Sequence, residues 1–233
     1  MKVPGRILSV YGAVMVVVLL AAALGSRAVT TLSENKPVFR SRCIVIDPGH
    51  GGEDGGAVSR SGLPESGYNL EISLRLRDLF HLLGYQTRMI RTTDVSVYTK
   101  GESLSQKKAS DLKQRVSTIR ETEGALLLSI HQNHFPQEQY SGAQVFYAGT
   151  EGSEALAKQL QDAFRQSLNP GSRRQPKKSS GVYLMEHITC PGVLIECGFL
   201  SNPEEETRLR DPEYQKKLCG IIAVTTGSYL SNT

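Results

Sequence analysis

A chain of 233 residues is long enough to bury one globular core, and too short for two full-sized domains once its N-terminus is set aside. A formal charge of +4 and a pI near 8.9 suit anionic surroundings such as wall polymers or lipid headgroups. The excess is too small to argue for nucleic acid, and no RNA- or DNA-binding signature accompanies it. Cys43, Cys190, Cys197 and Cys219 form neither a CxxC pair nor a compact disulfide framework; three lie in apolar strand or helix contexts, so buried free thiols are expected.

Lys2 and Arg6 precede an apolar stretch from Ile7 to Gly25, the pattern of an export signal. The stretch is about long enough to cross a bilayer, while Ala23-Leu24-Gly25 makes a passable cleavage site. Residues 1–30 therefore read as a signal anchor or signal peptide, the anchor being favoured, residues 31–41 as a linker, and residues 42–233 as one catalytic unit. The protein is expected to be exported, and attached to a membrane if the segment is kept.

Cys43 to Asp47 reads as a first strand running into the loop Pro48-Gly49-His50-Gly51-Gly52. From Asn69 to Leu83, Ile72, Leu76, Leu79, Phe80 and Leu83 fall at helical spacing and Gly84 supplies a stop, which predicts a helix despite early alternation. Gln86 to Arg91 follows as a strand, with Thr92-Thr93-Asp94 as the turn leaving it. Between Gly101 and Glu123, Ala109, Leu112, Val116 and Ile119 make the narrow stripe of a surface helix, which leads into a strand from Ala125 to His131. Gly142 to Ala148 is another strand, and Ser153 opens a helix in which Leu156, Leu160, Phe164 and Leu168 recur every fourth residue. Arg173, Arg174, Lys177 and Lys178 form a basic loop, read first as a solvated connection and second as a contact for an acidic substrate or partner. Gly192 to Glu196 is the next strand. Asn202-Pro203-Glu204-Glu205 and Asp211-Pro212-Glu213 then each offer an N-cap, a Pro at the first helical position and acid in the first turn, so two helices close the chain. Strands alternating with helices describe an α/β fold.

Three strand-like runs finish on residues suited to a metal or to work beside one: the Asp47 strand entering the His50 loop, the strand ending on His131, and the one ending on Glu196. Open α/β sheets place their sites outside the carboxyl ends of strands, so two histidines and a glutamate there suggest a hydrolytic zinc centre. Each has a bland alternative: an inert loop histidine for His50, a satisfied core histidine for His131, an ion-paired carboxylate for Glu196. His134 competes as a ligand but is turned away by its odd offset from His131, and His81 and His187 have no strand-end position. A phosphate cradle is disfavoured because the Gly-rich loop lacks GxGxxG and GK[ST] and carries Glu53 and Asp54.

Four blocks, IVIDPGHGGEDGGAV at 44–58, PESGYNLEI at 64–72, LLLSIHQNH at 126–134 and GVLIECGFLSNPEE at 192–205, resemble the zinc-dependent N-acetylmuramoyl-L-alanine amidases of bacterial cell-wall hydrolysis. The turn Arg91 to Asp94 and the segments at 107–116, 141–147 and 181–192 are similar to the germination-specific, spore-cortex branch. The resemblance implies a mixed, mostly parallel sheet of about six strands flanked by helices. It also implies Zn2+ held by His50, Glu65 and His131, and Glu196 as catalytic acid/base. Glu65 enters through the resemblance alone, since a carboxylate in a polar loop ahead of a helix reads by default as solvated or dipole-stabilising. Ser66-Gly67 replaces the Lys-Asp common in the family, and His134 stands where Ala is frequent.

The implied reaction is hydrolysis of the amide joining N-acetylmuramic acid to L-alanine in peptidoglycan, with muramic δ-lactam formation in the cortex downstream. Implied partners are a cortex polysaccharide deacetylase acting on the product and an activating protein. The implied location is the outer face of a bacterial membrane or the wall, in the forespore cortex region. Competing readings are a zinc carboxypeptidase acting on wall peptides and a wall-binding regulator without catalysis.

Overall fold

A computed structural model describes residues 42–233, so the export segment and the linker lie outside the described residues. Its strands are β1 (Cys43–Pro48), β2 (Gln86–Met89), β3 (Ala125–Asn133), β4 (Gln144–Tyr147), β5 (Lys177–Lys178) and β6 (Gly192–Phe199). They form one sheet in the order β2-β1-β3-β6-β4-β5. All neighbours are parallel except β4 and β6, which run antiparallel. The expected mixed, mostly parallel six-stranded sheet flanked by helices is thus the observed one.

The helices are α1 (Glu65–Leu82), α2 (Leu104–Arg120), α3 (Ser153–Ser167), α4 (Tyr183–His187), α5 (Pro203–Arg210) and α6 (Pro212–Ser231). Central strands covered on both faces need apolar residues at successive positions, and β1, β3 and β6 supply them. Ile44 and Ile46, Leu126, Leu128 and Ile130, and Val193 and Ile195 pack with Ile72, Leu76 and Phe80 of α1, Leu156, Leu160 and Phe164 of α3, and Leu218 and Ile222 of α6. The opposite face carries Val45, Leu127 and Leu194 against Val116 and Ile119 of α2 and Leu184 and Met185 of α4. Side chains alternate between faces. Two residues further along, this second face therefore presents Asp47 on β1, Ser129 and His131 on β3, and Glu196 on β6.

Helix starts follow local chemistry. Ser103 and Gln106 form a reciprocal capping box on α2, and Asn202 and Asp211 cap α5 and α6 as their sequences predict. Several boundaries differ from the sequence reading. α1 begins at Glu65 rather than Asn69, because Glu65 N–H bonds Ala57 O and Ser66 N–H bonds Gly55 O, which ties an apolar-poor first turn to the preceding loop. β2 stops at Met89, short of Arg91. β4 is shorter than 142–148 at both ends; at its start the N–H groups of Gly142 and Ala143 are taken by the side chains of Glu205 and Asn169. Lys177 and Lys178, read as loop, pair as β5 beside Phe146 and Tyr147, and His187 ends a short helix rather than lying in an irregular stretch. β3 and β6 continue past His131 and Glu196, so these residues lie near the carboxyl ends of their strands without terminating them.

All four cysteines are free, Cys197 and Cys219 buried and Cys43 and Cys190 partly so. Among the described residues no helix is long and apolar enough to cross a membrane.

Candidate metal centre

β1 delivers the chain into a loop that must pass close under the end of β3. A Cβ at Gly49 would overlap the His131 ring, and one at Gly56 would strike the Glu65 carboxylate and the His50 ring, so these two positions accept only glycine if the three side chains are to converge. His50 is the one non-glycine residue with positive φ, 59°, among the described residues, a left-handed conformation that costs a non-glycine residue about 1–3 kcal/mol and persists only when its surroundings enforce it. Two buried arginines enforce it here. Arg115 donates to the carbonyls of Pro48 and His50, and Arg91 donates to those of Pro48, Gly49 and Ser66, which fastens the loop to the first turn of α1.

The turn so fastened begins with Glu65, which is 3% exposed and sits between the two imidazoles. His50 Nε2 lies 3.3 Å from Glu65 Oε2, and His131 Nδ1 lies 3.0 Å from Glu65 Oε1. One donor atom from each of the three residues falls within 4.8 Å of the others. A tetrahedral ion with bonds of about 2.0–2.2 Å separates its donors by roughly 3.3 Å, so this set matches a divalent cation in both chemistry and spacing. The carboxylate is further oriented by N–H groups of Ala57 and Gln132 and by the Asn69 amide, which in turn is held by Gln132. Burial pushes the Glu65 carboxyl up, but hydrogen bonds from His131 and His50 outweigh it and hold the group well below the usual carboxylate range.

His50 turns its other nitrogen, Nδ1, to Asp54 at 3.0 Å, and Asp54 is also paired with Lys108. A carboxylate on the outer nitrogen fixes the tautomer that leaves Nε2 free to ligate. Below the site Asp47 is bound by Arg115 and by the Ser129 hydroxyl. Burial raises the Asp47 carboxyl, yet the Arg115 charge and the Ser129 bond bring it below its ordinary value.

Glu196 stands directly opposite His131 in the β3–β6 ladder. It lines a cleft of about 330 Å3 with His50, His131, Lys108, Tyr183 and Leu194, yet its Oε2 is enclosed and has no hydrogen-bond partner. Burial pushes its carboxyl up to about 7, partly opposed by His131 and reinforced by Glu65. A buried carboxylate oxygen without a partner is costly, and one that faces a cleft beside a cation site is poised to exchange a proton.

Sequence reasoning therefore named all four residues that meet here, although Glu65 came from resemblance. His134 is exposed and His81 bonds Thr87 away from the site. Asp54, Arg91 and the Asp47–Arg115 pair were missed. Only Asp54 left a local signal, an acid four residues from a candidate ligand in a Gly-rich loop.

The pattern of an N-acetylmuramoyl-L-alanine amidase matches residues 44–225, a span that contains all four residues. The chain belongs to the N-acetylmuramoyl-L-alanine amidase family. The germination-specific N-acetylmuramoyl-L-alanine amidase of Bacillus subtilis is 44% identical over 183 residues, 78% of this chain and 76% of that protein. The CwlD amidase from Clostridioides difficile, solved in complex with the GerS lipoprotein, superposes with a TM-score of 0.79 at 35% identity, over 82% of this chain and all of that one. An N-acetylmuramoyl-L-alanine amidase from Clostridium difficile 630 follows with a TM-score of 0.71 at 27% identity, covering 83% and 99%. The amidase is thus an enzyme acting on peptidoglycan, and the carboxypeptidase and inactive-regulator readings are not favoured.

Proposed function

We propose that residues 42–233 of this amidase form a zinc-dependent catalytic domain in which His50, Glu65 and His131 hold the ion and Glu196 is the acid/base. The observation that carries this reading is the unpartnered buried oxygen of Glu196, a residue in register with His131 that lines the same cleft. When bound, zinc supplies Lewis acidity toward the scissile carbonyl and lowers the pKa of water. Glu196 takes the proton of the attacking water and returns one to the nitrogen of L-alanine as the amide breaks. Asp54 keeps His50 in the ligating tautomer, and Arg91 and Arg115 hold the loop that carries it.

The products are a free stem peptide and a muramic acid bare of peptide. The similarity to a germination-specific amidase supports spore cortex as the substrate and muramic δ-lactam as the eventual product, with a deacetylase acting next on the denuded sugar. The complex of the C. difficile relative with a lipoprotein supports a protein activator for this chain. Export, with the N-terminal segment as anchor or signal, would place the reaction at the outer membrane face or wall, in the forespore cortex region.

Mass spectrometry of cortex peptidoglycan digested with and without Zn2+ tests the activity. Peptides beginning with a free L-alanine amino group are expected only with metal. Release of a terminal residue instead would make the protein a carboxypeptidase and overturn the assignment.

A further inference from the structure

Past Glu196 the cleft face of the sheet runs into a second cavity that the reaction, as described, does not use. Between His131 and Asn133 β3 advances two residues, while β6 advances three from Glu196 to Phe199, because the pairing shifts register there. An extra residue of this kind reverses the alternation, so Phe199 returns to the Glu196 face. The antiparallel partner β4 places Gln144 opposite Glu196 and Phe146 opposite Leu194. These residues, with the exposed rings of Phe135 and Tyr140, line a cavity of about 260 Å3 that also takes in Arg174 and Lys177. Its near edge is marked by Gln144, opposite Glu196, and by Asn133, two residues past His131.

The cations in this cavity keep part of their donor capacity free. Arg174 stacks its guanidinium 5.0 Å from the Phe199 ring and donates Nε to Ser141 O and Nη1 to Gln144 Oε1, which leaves Nη2 without a protein partner among the described residues. Neither Arg174 nor Lys177 forms an ion pair among the described residues. The nearby Glu205 spends its oxygens on the backbone N–H groups of Gly142 and Phe199. A planar guanidinium braced on an aromatic ring, with one edge free, is preorganised to take a carboxylate.

The geometry points to this cavity as the subsite for the stem peptide, whose carboxylates are bound by Arg174 and Lys177 while its backbone lies across Phe199 and Tyr140. This inference rests on the amidase reading and extends it to the leaving group. Glu196 must reach the departing amine, so the peptide lies on the Glu196 side of the broken bond, where the cavity opens past the ends of β3 and β6 and across β4 to Lys177. A peptide attached by its amino end also carries a carboxylate at its other end, two or three residues and roughly 7–10 Å away. A sugar chain offers no comparable reason for two free cations.

The test compares a soluble muramoyl tripeptide with free carboxylates against the same compound with its carboxyls converted to amides, using the zinc-loaded protein. Wild type is expected to favour the acid by about tenfold in kcat/KM, mostly through KM and less so as salt rises. Arg174→Gln and Lys177→Gln should each bring the ratio of kcat/KM for acid to that for amide toward one, and Arg174→Lys should restore part of it. Lys177→Gln guards against misfolding, because Lys177 is exposed and its side chain makes no bond among the described residues. Calorimetric binding of the free tripeptide and its amide to the same proteins reads the subsite independently of turnover. Binding selectivity without hydrolysis would overturn the reaction and keep the subsite. Equal handling of acid and amide by wild type, or variants that match wild type on both, would overturn the subsite and leave the aromatic patch to a protein partner.

Discussion

The loop that carries His50 and the strand that carries Glu196 face each other across one cleft but are built on opposite principles. The ligating groups of His50 and Glu65 are closely held: Asp54 on His50, two imidazoles and three N–H donors on Glu65, and two arginines on the loop carbonyls. Glu196 has a rigid strand beneath it and an oxygen with nothing to bond. The first region is organised to stay put while holding a cation, the second to hold a group whose protonation changes. A metal ligand benefits from a fixed charge and tautomer, whereas an acid/base benefits from an environment that leaves both states within reach.

The largest effect is expected from breaking the first region outright. Glu65→Ala or His50→Ala should lose metal and activity together, read by metal analysis of the purified protein beside an amide-hydrolysis assay; a Glu65→Ala protein that kept both would remove Glu65 from the ligand set. Glu196→Gln is the converse break. It should retain near wild-type zinc while turnover falls by about 100- to 10,000-fold, the usual contribution of a positioned acid/base, and an active variant would refute the role. Arg115→Leu strikes beneath both regions, since it leaves Asp47 charged and unpaired in the interior. Denaturant unfolding should show a loss of about 3–5 kcal/mol, and an unchanged midpoint would mean that the pair is dispensable.

Acidity sharpens the contrast. In the metal-free protein Glu196 binds its proton more tightly folded than unfolded, about 7 against an ordinary 4.5. Its contribution to stability is therefore complete below about pH 4.5 and lost as pH rises toward 7, an effect of up to about 3 kcal/mol. Melting curves of metal-free wild type and Glu196→Gln should diverge across that window, with the variant the more stable at pH 8. Parallel curves would mean that Glu196 is not buried as described. The mildest change is Asp54→Asn, which keeps the ligands and loosens one of them. Zinc titration should report an affinity about 10- to 100-fold weaker, and an unaltered affinity would deny Asp54 its orienting role.

Much of this protein was legible in its residues. Apolar runs such as Ile44 to Ile46, Leu126 to Ile130 and Val193 to Ile195 specify buried strands, and the caps at Asn202 and Asp211 mark their helices, because these signals depend on near neighbours alone. His50, His131 and Glu196 could be nominated because strand periodicity brings polar residues to one end of the sheet. Glu65 could not be found that way, since its neighbours Ser66 and Gly67 carry no apolar pattern and its role depends on bonds to Ala57, Gln132 and both histidines. The same holds for Arg91 and Arg115, which reach carbonyls 25 to 67 residues away, and for the register shift that turns Phe199 onto the Glu196 face. Sequence by itself determined the longer strands and helices, though not β5 or α4, and nominated three of the four residues at the site. Only the tertiary structure decided which carboxylate is held between the imidazoles and which is left unpaired, because that difference lies in contacts between segments the chain keeps far apart.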